Sequence, residues 1–343
     1  MNKKYNTYVN MTFSTADEYD NISHYEEKIA SDAYRDYRRK WLENPKNLII
    51  GEGPLHIDVE ITDFCNLKCK MCPRSVHDIH NNSNDTFMSF DLLKDIVDEA
   101  RDLDVLSIKF GIVSEPLSHP MFYEMVKYAN EIGFEDIAVI TNGTLLNESL
   151  SKKIIEAGLT KINISFDSPV KETYESIRRG ADFYKTIANI KKLIEIRDSM
   201  NSPTPLLRVT MVKLDENKNE RQLFYETFKP FADRIAYLDY VEYNDDALLD
   251  YSILNNKIFD NYVCAQLWQR LSIDENGLVY PCCGINRDEA FSWDFKQYGL
   301  KSIWQNKSQE LRNNFINNTW KEIPMCRRCV ARVRGATLKD GKV

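Results

Sequence analysis

Residues 61–75, Ile61-Thr62-Asp63-Phe64-Cys65-Asn66-Leu67-Lys68-Cys69-Lys70-Met71-Cys72-Pro73-Arg74-Ser75, set three cysteines at C-x3-C-x2-C spacing. Three thiolates held this close can clamp three irons of a 4Fe-4S cluster and leave the fourth iron open to a small molecule. Other uses of a cysteine triad carry different signatures. Buried structural cysteines need no particular spacing, and a disulfide framework belongs to small secreted domains. A zinc site normally asks for a fourth Cys or His nearby; His77 and His80 follow closely, so spacing alone leaves a Cys/His zinc site open. The preceding LHIDVEIT, residues 55–62, reads as a buried strand that empties directly into the cysteine loop.

A strand running into this loop resembles the radical SAM superfamily. The resemblance implies that Cys65, Cys69 and Cys72 hold a 4Fe-4S cluster whose open iron binds S-adenosylmethionine through its amine and carboxylate. Reductive cleavage would then give a 5'-deoxyadenosyl radical able to take hydrogen from an unreactive carbon. Met71 stands where many relatives have an aromatic beside the adenine.

The other five of the eight cysteines all lie in the last third of the chain. They are Cys264, the pair Cys282 and Cys283, and Cys326 with Cys329 in PMCRRCVAR. Structural cysteines would fall wherever a small apolar side chain suits the core, so this confinement favours metal ligation. The run YVCAQLWQRLSIDENGLVYPCCG, with an aromatic-rich strand and a turn at Asn276-Gly277, is similar to the SPASM or twitch extension that carries an auxiliary cluster. That resemblance makes Cys264, Cys282, Cys326 and Cys329 one four-cysteine site for a single auxiliary 4Fe-4S cluster, with zinc as the structural alternative. One of the Cys282/Cys283 pair is left over, and the longer pattern for two auxiliary clusters is not met.

After residue 50 the chain alternates between strand and helix patterns. Strands are expected at 55–61, 105–110, 136–141, 161–166, 206–212 and 234–240. Helices are expected in FDLLKDIVDEARDL, PMFYEMVKYANEIG, SLSKKIIEAGL, YKTIANIKKLIEIRDSM and NERQLFYETFKPF, where apolar residues recur at three and four. Leu92, Leu93, Ile96 and Val97 make one such face, and Gly133 and Gly158 supply helix ends. Six βα units give an α/β fold with a parallel sheet and outer helices; the resemblance makes it a partial (β/α)6 TIM-like barrel working at its C-terminal strand ends, with a small C-terminal SPASM/twitch-like module. The expected organisation is an N-terminal helical extension at 1–50, the barrel at 51–245 and the cluster module at 246–343. In the extension, NISHYEEKIASDAYRDYRRKWLENP reads as a helix ending before Pro45. It could cap the barrel mouth or make a dimer contact, with a plain extension the simplest reading.

Strand ends extend the resemblance. After the second barrel strand, KFGIVSEPLSHP places Gly111, Ser114 and Glu115 where the family's G-G-E-P segment meets the methionine amino group, though the glycine pair is missing here. VITNGTLL places Asn142, and NISFDSP places Ser165 and Asp167, in segments that line the ribose and methionine of S-adenosylmethionine in relatives. ESIRRGADF puts Arg178 and Arg179 where many SPASM proteins have an arginine suited to the cofactor carboxylate.

The formal net charge of -7 offers no basic stripe for nucleic acid. The N-terminal MNKKYNTYVNMTFSTADEYD has no apolar h-region, and no run is long enough to span a bilayer. With clustered thiols, a cytoplasmic, non-membrane protein is expected, reduced by a donor such as flavodoxin or ferredoxin. An auxiliary cluster offers an electron acceptor, so oxidation of a carbinol in a sugar or aminocyclitol-type small molecule is the leading reading. Asp239, Glu242 and Asp245 are the candidate bases. Peptide or protein modification is the alternative, as no winged-helix segment for gripping a leader is seen. A redox-neutral epimerase is a further one, in which the spare thiol Cys283 returns hydrogen. A non-catalytic zinc- or cluster-binding scaffold is the reading from outside enzymology. Replacing Cys65, Cys69 and Cys72 together by Ala should abolish 5'-deoxyadenosine formation and the associated iron after anaerobic reconstitution; undiminished cleavage would remove the triad from the chemistry.

Overall fold

The computed structural model describes residues 6–7, 14–20, 30–76, 86–240, 249–282 and 291–339. Its strands are β1 (Asn6–Thr7), β2 (Ser14–Asp20), β3 (His56–Val59), β4 (Ser107–Phe110), β5 (Asp136–Thr141), β6 (Lys161–Ser165), β7 (Leu206–Lys213), β8 (Arg234–Asp239), β9 (Tyr262–Val263), β10 (Arg270–Ile273), β11 (Leu278–Tyr280) and β12 (Trp293–Asp294). From β3 to β8 each strand pairs in parallel with the next. Helices Phe90–Asp102, Phe122–Glu131, Glu148–Glu156, Phe183–Ser199 and Arg221–Phe228 connect them, as the sequence alternation predicts. The sheet stays open, running from β12 at one edge to β2 at the other, so the barrel is partial.

Local chemistry starts and stops the helices. Ser89, Asn147 and Asp182 accept the third backbone N–H beyond them, at 3.2, 2.9 and 2.8 Å. Gly133 and Gly158, at φ +96° and +88°, take the left-handed turn after two helix ends. The predicted face of Leu92, Leu93, Ile96 and Val97 is buried against the sheet.

The two faces of the sheet differ in kind. Ile57, Val59, Ile108, Phe110, Ile162 and Ile164 point to the helices and form the core. The alternate positions, pointing away from the helices, carry His56 and Asp58 on β3, Ser107 and Lys109 on β4, and Asn163 and Ser165 on β6. On these three strands the inner face is thus polar, while on β5, β7 and β8 it also carries Ala138, Ile140, Val212, Ala236 and Leu238.

Three segments depart from the sequence reading. The helix Asp32–Asn47 runs through Pro45, where its end was expected, and lies at the N-terminal ends of the strands, opposite the mouth. Tyr34 accepts a bond from Lys161 at 2.8 Å, and the Trp41 ring lies beside His56 and under Arg270; these partners are the first residues of β6, β3 and β10. Proline removes the donor for the carbonyl four residues back, and the Gln269 side chain supplies it, reaching Trp41 O at 2.8 Å. Second, the N-terminal region also contributes β2, antiparallel on β8, although STADEYD is poor in strand-forming residues. Third, Lys171–Ile177 is a helix that the periodicity did not reveal, because Tyr174 and Ile177 are its only buried residues.

In the C-terminal third, the stretch YVCAQLWQRLSI, within which an aromatic-rich strand was expected, divides. Tyr262–Val263 pairs with β1, Ala265–Trp268 is a helical turn, and Arg270–Ile273 is β10. β10 pairs in parallel with β3, so the hairpin β10–β11 continues the barrel sheet. The hairpin turns at Gly277, φ +86°, with Asp274 accepting from Asn276 N and Leu278 N at 3.0 Å each. A second core gathers Tyr262, Trp268, Phe315 and Trp320. Among the described residues no helix is long and apolar enough to cross a membrane. Gln269→Leu should leave the Trp41 carbonyl unpaired and lower stability by about 1–3 kcal/mol, read from urea unfolding; an unchanged midpoint would show that water or another donor replaces the amide.

Candidate active site

The cysteine loop leaves β3 and is stitched to the loop after Lys171–Ile177. Lys68 N donates to Arg179 O at 2.9 Å, and Lys70 N to Ile177 O at 3.0 Å. A single turn from Pro73 follows, with Ser75 N and Val76 N donating to Cys72 O at 2.9 and 3.0 Å. Cys69 is buried, while Cys65 and Cys72 are half-buried. Burial pushes the Cys65 thiol up to about 12, with the charges of Glu115, Cys69 and Cys72 adding to the rise. The three thiols therefore feel one another, though among the described residues no three ligating side chains meet at coordination distance. A thiol held protonated by burial, as Cys65 is, releases its proton when a metal binds.

Glu115 stands at the mouth, as the sequence reading places it, and is 1% exposed. Its carboxylate accepts from Thr141 Oγ1 at 2.6 Å, Asn142 N at 2.7 Å and Leu117 N at 3.1 Å. Burial nevertheless raises its pKa to about 7. Gly111, at φ +91°, makes the approach possible, since a Cβ there would meet Pro116 Cγ at 2.4 Å. Among the described residues the buried Ser114 hydroxyl oxygen has no hydrogen-bond partner, a polar atom that a ligand could satisfy. A residue the sequence reading missed supports this loop: Glu60, fully buried, accepts from Ile112 N and Val113 N at 3.0 and 2.6 Å. Its place two residues past the inner-facing Asp58 was the available signal.

Asn142 joins the next strand end to the cysteine loop. Its amide donates to Asn66 Oδ1 at 2.9 Å and accepts from Thr144 N at 2.9 Å, while Asn66 donates to Thr144 Oγ1 at 2.8 Å. Asp167 is fully buried; it accepts from Val212 N at 2.8 Å and pairs with Arg178 Nε at 2.8 Å. Arg178 Nη1 also reaches the Cys69 sulfur at 3.9 Å. Burial works against the Arg178 charge, but Asp167 and then Cys69 outweigh it and hold the guanidinium above its ordinary range. Burial also raises the Asp167 carboxyl against the pull of Arg178. Arg178 is thus engaged within the protein, while Arg179 is exposed. Ser165 is half-buried at the end of β6.

Below this ring the inner face holds a charged network. Asp58, fully buried, accepts from Lys109 Nζ at 2.6 Å, Arg270 Nη1 at 3.0 Å and Ser272 Oγ at 3.3 Å. Burial opposes the Asp58 charge, yet Lys109, Arg270 and His56 hold its carboxyl well below the usual range. His56 links Asp58 to Ser107, at 3.1 and 2.7 Å. Asp239 lies at the mouth end of β8 in an ion pair with Lys213. Glu242, Asp245, Cys283, His77 and His80 lie outside the described residues.

In the C-terminal module, Cys326 and Cys329 stand one turn apart on Pro324–Lys339. Burial raises the Cys326 thiol, and the charges of Cys264 and Cys329 add to it, so these three are neighbours. Cys282 follows β11 and is half-buried. The donor set, thiols alone, suits an iron-sulfur centre.

Comparison with known proteins agrees with this geometry. Residues 59–226 match the radical SAM superfamily, and residues 264–330 match the iron-sulfur cluster-binding domain called SPASM. The chain is a radical SAM enzyme with a C-terminal SPASM-type domain, and it uses S-adenosylmethionine and 4Fe-4S clusters. It is 33% identical over 167 residues to a tungsten-containing aldehyde ferredoxin oxidoreductase cofactor-modifying protein of Pyrococcus furiosus, covering 47% of this chain and 44% of that protein. It is 27% identical over 250 residues to GTP 3',8-cyclase of Petrotoga mobilis, covering 72% and 71%. The match spans less than half the length of the first curated relatives, 44% and 46%. Among solved structures, SuiB of Streptococcus suis bound to S-adenosylmethionine has a TM-score of 0.62 at 14% identity, covering 89% of this chain and 80% of SuiB. BtrN in complex with AdoMet and 2-DOIA has a TM-score of 0.52 at 18% identity, covering 81% and 93%. These likenesses show the fold.

The raised Glu115 pKa makes a prediction about cluster-free protein. Between about pH 4.5 and 7 the folded chain holds a proton that the unfolded chain has released, so this contribution is full below the window and is lost through it. Wild type should lose about 1.4 kcal/mol per pH unit across that window relative to Glu115→Gln, measured by urea unfolding at stepped pH; parallel profiles would place the Glu115 pKa at its ordinary value.

Proposed function

We propose that this enzyme oxidises a carbinol carbon of a small hydroxylated molecule, of the sugar or aminocyclitol kind, in the cytoplasm. The observation that carries the reading is the set of polar side chains on the inner faces of β3, β4 and β6, where Lys109 on Asp58, Asn163 and Ser165 offer donors and acceptors. Such a lining matches a ligand rich in hydroxyl groups. BtrN, seen with AdoMet and 2-DOIA, has a similar fold.

Cys65, Cys69 and Cys72 would hold the cluster that binds S-adenosylmethionine, and on reduction that pair supplies a carbon radical strong enough to take hydrogen from a carbinol. Glu115, with Ser114 beside it, would receive the cofactor's ammonium end. Asn142, Ser165 and Asp167 would line its ribose and methionine portions, with Arg178 fixing Asp167 and the cysteine loop together. Asp239 is assigned to take the proton that the oxidised hydroxyl releases, with Lys213 holding its orientation. Cys264, Cys282, Cys326 and Cys329 would hold the auxiliary cluster, which supplies an electron acceptor. Cys283, if it faced the substrate, would favour epimerisation.

Peptide modification is the second reading. It rests on the likeness to SuiB bound to precursor peptide SuiA, TM-score 0.58 at 17% identity, covering 81% of this chain and 71% of that one. The experiment is anaerobic turnover with aminocyclitols, sugars and short peptides, followed by mass spectrometry. A small molecule two hydrogens lighter, with matching 5'-deoxyadenosine, is the expected result. Product of unchanged mass in ordinary water that takes up one deuterium in heavy water would instead establish epimerisation, and turnover of peptides alone would overturn the small-molecule reading. Asp239→Asn should lower product formation on the order of a hundredfold while leaving 5'-deoxyadenosine release measurable.

A further inference from the structure

We infer that Lys68 and Arg179 form the docking face for a small acidic electron-carrier protein that reduces the radical-generating cluster. The inference rests on the cofactor assignment above. The cysteine loop and its partner loop, residues 66–74 and 177–180, hold five basic residues, Lys68, Lys70, Arg74, Arg178 and Arg179, and no acidic one, in a chain of net charge -7. Three of the five are accounted for within the fold. Arg178 pairs with Asp167, Lys70 pairs with Glu216, and Arg74 is 5% exposed.

Lys68 and Arg179 are exposed, and the backbone bond from Lys68 N to Arg179 O, 2.9 Å, puts them side by side. Neither side chain makes an ion pair with the described residues. Lys68 adjoins Cys69, and Arg179 adjoins the arginine whose guanidinium touches the Cys69 sulfur. The two cations therefore mark the wall between solvent and cluster ligands. Gly180 packs this corner, its Cβ position lying 3.4 Å from Leu67 Cδ2. Five residues beyond Arg179 along the chain, Tyr184 is 68% exposed, the most open of the large hydrophobic side chains among the described residues. Exposed cations with an exposed aromatic have the composition of an interface anchor. On an acidic protein, this local positive charge steers an acidic partner to this face.

The transfer balances simply. A flavin hydroquinone gives one electron and becomes the semiquinone, and the 4Fe-4S cluster passes from its 2+ to its 1+ state; no bond in this chain forms or breaks.

The test compares two reductants on reconstituted holoenzyme, purified flavodoxin in its hydroquinone form and dithionite, with 5'-deoxyadenosine as readout. Lys68→Glu combined with Arg179→Glu should slow flavodoxin-driven cleavage on the order of tenfold at low salt and flatten its salt dependence. Dithionite-driven cleavage should stay within about twofold of wild type, since a small ion needs no docking face. Lys46→Glu, exposed on the helix at the other end of the barrel, makes the same kind of charge change and should leave both rates alone. Equal flavodoxin rates in the double variant and wild type, or an equal loss in Lys46→Glu, would overturn the docking face. Loss with dithionite as well would assign the two residues to cluster integrity instead. Wild type inactive with dithionite would strike the cofactor assignment, and the docking face with it.

Discussion

The Arg178 guanidinium, buried between the Asp167 carboxylate and the Cys69 thiol, is the contact on which the arrangement of the site depends. A cation taken this far from water is tolerated only against compensating charge and hydrogen bonds, and Asp167 provides the charge. Asp167 in turn is fixed by Val212 N on β7. The chain of contacts runs from β7 through the end of β6 to the cysteine loop, so the loop is anchored to the sheet by charge as well as by its backbone bonds to residues 177 and 179. On the other side, Asn66 and Asn142 make the matching tie to β5. A loop that must present three thiols at one place gains that order from two flanks, not from its own sequence.

The same logic explains the polar inner face. In a closed barrel filled by side chains, inner positions are bulky and apolar. Here the inner positions of β3, β4 and β10 carry Asp58, Lys109 and Arg270, which satisfy one another. With one carboxylate against two cations the group is positive, because burial keeps His56 toward its neutral form. Its floor is sealed by Trp41 and Tyr34 from the helix Asp32–Asn47. These groups give the part of the barrel below the candidate site a polar floor.

Much of this was legible in the chain. The six barrel strands were readable because their outer positions, such as Ile57, Val59, Ile162 and Ile164, are apolar and regularly spaced, and the cysteine triad with Glu115, Asn142 and Asp167 was readable from order along those strands. What escaped depends on contacts distant in sequence. STADEYD has no strand pattern of its own and becomes β2 only by pairing with β8. The N-terminal helix was visible, but its end was not, since Gln269, more than two hundred residues away, completes the turn that Pro45 would otherwise break. Its placement at the floor follows from aromatic and cationic contacts to first residues of strands, which no local pattern encodes.

Arg178 shows how a residue singled out in the sequence can make contacts other than those the resemblance implied. Resemblance pointed to a cofactor-facing arginine, and the structure places it at the site, but with its guanidinium spent on Asp167 and Cys69. The neighbouring Arg179 faces solvent. Two adjacent arginines thus divide inner and outer work at one backbone turn: the first orders the ligand loop, and the second leaves charge on the surface directly over it. Because adjacent residues in an extended or irregular segment point to different sides, the pairing of a structural cation with a surface one follows from the chain's geometry. The order of the ligand loop and the charge on its outer wall are therefore set by the same short segment.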